Sequence, residues 1–189
     1  MAMFFALVAL CLSGSALANV PSSRGCPAVT TQSNFDVNKY LGRWYVNQKY
    51  SDGQSATETS KCTYADYTSD ANDLIHIVNH YINLKNGKPA TLESYLRVPN
   101  PNDASKLKIR YPSFMPPGVE GDYYVLASDY DSYAVVYNCE ERRGVGTRHI
   151  WTLTRERNPS AEIVNNADTE LEKNNINRSV MRKTDQTNC

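Results

Sequence analysis

The sequence predicts an all-β fold, an antiparallel meander of short strands followed by a single helix near the C-terminus. Three observations carry that expectation. From about residue 42 to 156, strand-length runs rich in Val, Ile and Tyr alternate with pieces rich in Gly, Pro, Asn and Asp, which is how consecutive strands and their turns read. No strand–helix–strand alternation interrupts them, so a parallel sheet is disfavoured. Beyond them, one stretch switches to helical spacing of its apolar residues.

The chain opens on different material. Met1 to Leu12 is almost purely apolar, and the SGSALA that follows puts Ala16 and Ala18 where a signal peptidase reads small residues. We expect a secretory leader over residues 1–18, cleaved after Ala18, with residues 19–189 forming one domain. The apolar run is too short to span a bilayer. Removing the leader takes Cys11 and no charged residue, so 20 basic and 20 acidic side chains remain in balance. That balance gives no electrostatic reason to propose a nucleic-acid partner. Cys26, Cys62, Cys139 and Cys189 remain. In an oxidising compartment an even number reads as two disulfides, with three possible pairings. Each bridge would close a long loop, worth roughly 4–5 kcal/mol in the chain-entropy picture.

The strands follow in order. The first starts at Gly42-Arg43-Trp44, after NFDVNKYL; then come KCTYADYTS, LIHIVNHYI, TLESYLRV, KLKIRYP, YYVLAS, SYAVVYNC and TRHIWTLTR. The segments DAND, LKNGKP, PNPNDAS and the longer SFMPPGVEGD separate several of them. In the run 74–82, alternation puts Ile75, Ile77, Asn79 and Tyr81 on one face and Leu74, His76, Val78 and His80 on the other. Neither face is purely polar or apolar. A face mixing aromatic and amide groups suits a cavity lining better than a solid core.

The helix has a start signal in Asn158-Pro159-Ser160, with Glu162 in the first turn where the helix dipole favours it. Ile163, Ala167 and Leu171 fall at i, i+4 and i+8 with Val164 beside them, one apolar stripe, and Asn174-Asn175 end it. A helix with a single apolar face is expected to pack on the outside of the sheet.

Three blocks then coincide. Gly42-Arg43-Trp44 begins the first strand, Asp129-Tyr130 precedes the strand ending in Cys139, and Arg155 ends the last long strand just before the helix. Together they resemble the three motifs of lipocalins: G-x-W, T-D-Y and the final Arg. The frame from Tyr123 to Cys139, the W-x-L-x-R block and the terminal TDQ-x-NC are most similar to the apolipoprotein D group, and also to insect bilin-binding and Lazarillo-type lipocalins. The resemblance covers Cys26 to Cys189.

The resemblance implies an eight-stranded up-and-down barrel with the helix on its outer wall, wide enough for one small ligand. It implies the pairings Cys26–Cys139 and Cys62–Cys189. It makes Gly42, Trp44, Asp129, Tyr130 and Arg155 structural, with the guanidinium lying over the Trp44 ring at the closed end. It places Tyr67, Asn79, Tyr111, Tyr123, Trp151 and Leu153 around the cavity, where aromatic walls and a few polar groups suit a hydrophobic ligand. His149 shares Trp151's parity and is expected near the upper cavity. His76 and His80 lie on the other face, so histidine geometry gives no metal or haem site. Phe114 and Met115, in the longest loop, are expected to make transient contact with a membrane or lipoprotein surface. Asn177-Arg178-Ser179 is a glycosylation sequon.

The implied function is secreted, extracellular binding and transport of a fatty acid, sterol or retinoid; no cofactor is required. The alternative ligand is a biliverdin-type tetrapyrrole, which would make the protein a pigment carrier. Isomerase chemistry of the kind some lipocalins perform needs a free cavity cysteine, and pairing leaves none over, so no catalysis is expected.

Overall fold

A computed structural model describes residues 25–52, 59–70 and 74–189. The expected leader, residues 1–18, lies outside the described residues. Eight strands run in order: β1 (Gly42–Ser51), β2 (Ser60–Ser69), β3 (Ile75–Asn83), β4 (Pro89–Arg97), β5 (Lys106–Arg110), β6 (Gly121–Ser128), β7 (Tyr133–Arg142) and β8 (Val145–Thr154). Each pairs antiparallel with the next, and β8 pairs back onto β1 from Tyr45↔Thr154 to Ser51↔His149. Closure leaves the sheet no free edge. Strands β1, β3, β5 and β7 finish at one end, which is open. Strands β2, β4 and β6 finish at the other, which a short helix, α1 (Val37–Tyr40), closes.

β1 has two partners along one edge. Gly42 to Tyr45 pair with Tyr67 to Tyr64 of β2, but Gln48 and Lys49 pair with a two-residue strand, β9 (Arg182–Lys183). Where β1 and β2 part, the C-terminal tail fills the seam. Thr184 N–H donates to Asn47 O at 2.9 Å and Cys62 N–H donates to Asp185 O at 2.8 Å. The Gln186 amide bridges both walls, donating to Val46 O at 3.0 Å and Thr63 O at 2.8 Å. The Cys62–Cys189 disulfide pins the end of the tail, and Cys26–Cys139 ties the N-terminal segment to β7.

Two apolar clusters hold the fold. One fills the lower barrel around Tyr40, Trp44, Ile77, Leu96, Leu107 and Val125. The other lies between the barrel's outer wall and α2 (Ala161–Lys173): Val135, Tyr137 and Ile150 meet Ala167 and Leu171. Ser160 caps α2, its hydroxyl accepting from Ile163 N–H at 3.4 Å, and Asn175 ends the segment at φ 57°. The strand order explains this division: alternate residues of one strand serve the interior and the helix-facing wall.

Candidate functional site

The site is built from its floor upward. Asp36 caps α1, its carboxylate accepting from Asn38 and Lys39 N–H, and this sets Tyr40 beneath the barrel. Trp44 Nε1 donates to Tyr40 O at 2.8 Å. The Arg155 guanidinium lies 3.7 Å from the Trp44 ring centroid, a cation–π contact worth about 1–2 kcal/mol when shielded from water. Its nitrogens also donate to four carbonyls: Tyr130 O and Arg43 O at 2.9 Å, Lys39 O at 3.0 Å and Leu41 O at 2.9 Å. Gly42 sits at φ +97°, and a Cβ there would meet Arg155 Nη1 at 3.2 Å. This explains the glycine in physical terms: the backbone turns left-handed under a guanidinium that needs the space. Tyr130 OH accepts from Asp36 N–H at 2.9 Å, and the Asp129 carboxylate accepts from Ser132 and Tyr133 N–H, shaping the turn into β7.

Directly above, Tyr123 OH is hydrogen-bonded to Tyr40 OH at 2.8 Å and to Tyr67 OH at 2.9 Å. Burial pushes all three phenols above their ordinary value. They stay protonated and form a neutral, hydrogen-bonded floor.

Over this floor opens a cavity of about 230 Å³. Tyr67, Asn79, Tyr111, Tyr123, Trp151 and Leu153 all line it. Asn79 Nδ2 donates to Leu92 O at 3.0 Å, fixing the amide against the wall. A second lobe of about 260 Å³ lies toward the open end and shares Leu92, Ile109, Tyr111, Tyr123 and Trp151 with the first. Phe114, Met115, Asp122, Asn138, Glu140 and His149 complete it. Each lobe alone falls below the size of about 300–1,000 Å³ usual for small-molecule pockets; the two lie against each other across their five shared wall residues. His149 Nδ1 and Ser51 Oγ are 2.5 Å apart, and burial lowers the imidazole's pKa, so His149 is neutral at pH 7.

His76 and His80 lie on the outer surface, stacked on Tyr95 at 4.8 Å and Tyr64 at 4.5 Å. Among the described residues no cluster of His, Cys, Asp and Glu is arranged to hold a metal ion. In the β5–β6 loop Phe114 is 63% exposed, its ring stacked 4.9 Å from Tyr111. Met115 is half-buried: its sulfur accepts from Tyr111 N–H at 3.3 Å and the side chain lines the outer lobe. A thioether adapts to the irregular gap beside Tyr111, whereas the stiffer ring stays outside. Sequence reasoning missed Tyr40, Thr63 and Ser94. Asp36 three residues ahead of a Lys-Tyr pair was a usable capping signal for the first, and Leu92-x-Ser94-x-Leu96 alternation for the last.

The geometry agrees with that of known proteins. The chain is 35% identical over 165 residues to apolipoprotein D of Cavia porcellus, covering 87% of this chain and 84% of that one. It is 30% identical over 191 residues to the Lazarillo protein of Schistocerca americana, covering 96% and 82%. Among solved structures, insecticyanin of Manduca sexta superposes with a TM-score of 0.72 at 24% identity over 86% of this chain and 87% of that one, a likeness of fold. The model of the lipocalin / cytosolic fatty-acid binding protein family matches residues 41–188. The chain belongs to the lipocalin family.

Proposed function

We propose that this protein is a secreted carrier that takes up a small hydrophobic molecule in the barrel cavity and transports it. The observation that carries the reading is the two-lobed lining, from the tyrosine floor past Trp151 to Phe114 at the open end. Its walls are aromatic and aliphatic with a few fixed polar groups, which suits a hydrophobic guest with one or two polar functions. Tyr67, Asn79, Tyr111, Tyr123, Trp151 and Leu153 are the contacts we assign to it. Binding is favoured over catalysis because Cys26, Cys62, Cys139 and Cys189 are all in disulfides, so none of them offers a thiolate nucleophile.

Phe114 joins exposed Leu84, Val119 and Val145 around the open end, and this apolar rim is our candidate for brief contact with a membrane or lipoprotein during transfer. Asn177 is exposed, which suits a glycan. A tetrapyrrole is the second reading, favoured by the stacking surfaces of Tyr111 and Trp151.

Purifying the secreted protein from its native source, recording its absorption spectrum and identifying the extracted small molecule by mass spectrometry tests both. A colourless protein that yields a near-stoichiometric lipid supports the first reading. Visible bands with a tetrapyrrole in the extract replace it with the second. An empty extract, with no fluorescence response to a lipid panel, removes the carrier reading.

A further inference from the structure

The cavity is chemically two-sided. On one side β2, β3 and β4 present Thr63, Tyr67, Asn79, Tyr81 and Ser94 to it, and Tyr111 follows just past β5. Across from them β1, β7 and β8 present Val46, Val136, Leu153 and Trp151. Ser94 pairs with Ile77, which pairs with Tyr67, so Ser94 shares the interior face with the tyrosine floor two strands along the sheet. Thr63 lies four residues nearer the open end on β2.

Two of these groups are unsatisfied. Ser94 is fully buried, and neither its Oγ nor Thr63 Oγ1 has a hydrogen-bond partner among the described residues. Buried hydroxyls are almost always paired, so a fold that leaves one unpaired against a cavity is provisioned for a partner in the cavity.

Charge narrows the partner. The inner lobe is lined by neutral groups, and burial keeps Tyr67, Tyr111 and Tyr123 protonated. The outer lobe adds Asp122 and Glu140, with His149 lowered by burial. Neither lining includes a Lys or Arg. Lys108 pairs with Asp122, and Lys49 shares Trp151's face by register but lines neither lobe. A carboxylate driven to the floor would lose its hydration and find no cation to replace it. An alcohol or ketone keeps its hydrogen bonding there, because a serine hydroxyl both donates and accepts.

We propose that the inner lobe selects a neutral, oxygen-bearing ligand, an alcohol or ketone, that enters oxygen first and hydrogen-bonds to Ser94 at the floor, with Thr63 serving a second oxygen nearer the mouth. The proposal rests on the carrier reading and names the ligand class for that same cavity.

Titration of the intact protein with decan-1-ol, decane and decanoate at neutral pH, followed by tryptophan emission, tests it. The wild type is expected to bind decan-1-ol at least about tenfold more tightly than decanoate, the order that desolvating an unpaired carboxylate dictates. Ser94→Ala removes a buried hydroxyl that has no protein partner, so the variant is expected to fold at least as stably as the wild type. It should lose about three- to tenfold in affinity for decan-1-ol and none for decane. Decanoate binding as tightly as the alcohol, or decan-1-ol binding unaffected by Ser94→Ala, would overturn the proposal while leaving the carrier reading in place. Failure of all three probes to bind would remove the carrier reading as well.

Discussion

The two ends of the barrel are held by different physics. At the closed end Trp44 and Tyr40 are fully buried, and one guanidinium binds four backbone carbonyls while stacking on the indole. At the open end the two disulfides, through Cys62 of β2 and Cys139 of β7, are covalent ties, while the ion pairs are part-exposed. Asp52, just past β1, holds Arg148 of β8 at 2.8 Å across a wet surface. Among the described residues, four of the five large exposed apolar side chains, Leu84, Phe114, Val119 and Val145, lie in or beside its turns. The closed end is one convergent buried network, whereas the open end joins covalent ties within its strands to exposed apolar groups in or beside its turns. Loops with few buried contacts open at lower cost than a packed core, and the proposed carrier role would use that difference.

The largest test of the contrast is Trp44→Ala. Truncating a fully buried Trp is expected to cost about 3–5 kcal/mol, read as a lowered urea midpoint. Arg155→Lys is next, at about 2–3 kcal/mol, because an ammonium keeps the charge but loses the fork and the stacking plane. A midpoint unchanged by either would show that the closed-end network does not stabilise the barrel. Trp151→Ala should behave in the opposite way: affinity for a bound lipid falls about tenfold, or about 1.4 kcal/mol, while the urea midpoint moves less than for Trp44→Ala. Binding calorimetry beside denaturation separates the two effects.

The smallest effect concerns pH. Hydrogen bonds from the Arg148 guanidinium hold the Asp52 carboxyl down at about 2, against burial, which raises it; the Tyr50 hydroxyl also contributes. A depressed folded-state value stabilises above the unfolded value of about 3.9 and is lost as pH falls toward 2. With the pair partly in water, about 1 kcal/mol is at stake. Asp52→Asn should therefore destabilise the protein at pH 6 by about that amount and match the wild type near pH 2. An equal difference at both pH values would contradict this.

Much of the barrel was legible because strand periodicity and turn residues are local. The run 74–82 shows its inner face by alternation alone, and Ile77, Asn79 and Tyr81 do line the cavity. The helix was legible from Ser160 and its apolar stripe. The closed end was readable only through the family motif: nothing local tells Arg155 that its partners are the carbonyls of Lys39, Leu41, Arg43 and Tyr130. The seam was not readable at all. Gln186 looks like any polar tail residue until β1 and β2 separate and expose Val46 O and Thr63 O to it. Ser94 was hidden for a similar reason, since a small polar residue between Leu92 and Leu96 reads as neutral until the cavity is seen in front of it.

If the protein is a carrier, the cavity around Trp151 takes the ligand while the end around Trp44 stays fixed. The chain has 2 tryptophans, one in each place. Labelling both with 5-fluorotryptophan and following the two ¹⁹F resonances during titration with a long-chain alcohol tests it most directly. The Trp151 line should shift saturably at one equivalent while the Trp44 line stays in place. A shift of the Trp44 line alone, or no shift of either, would contradict the account.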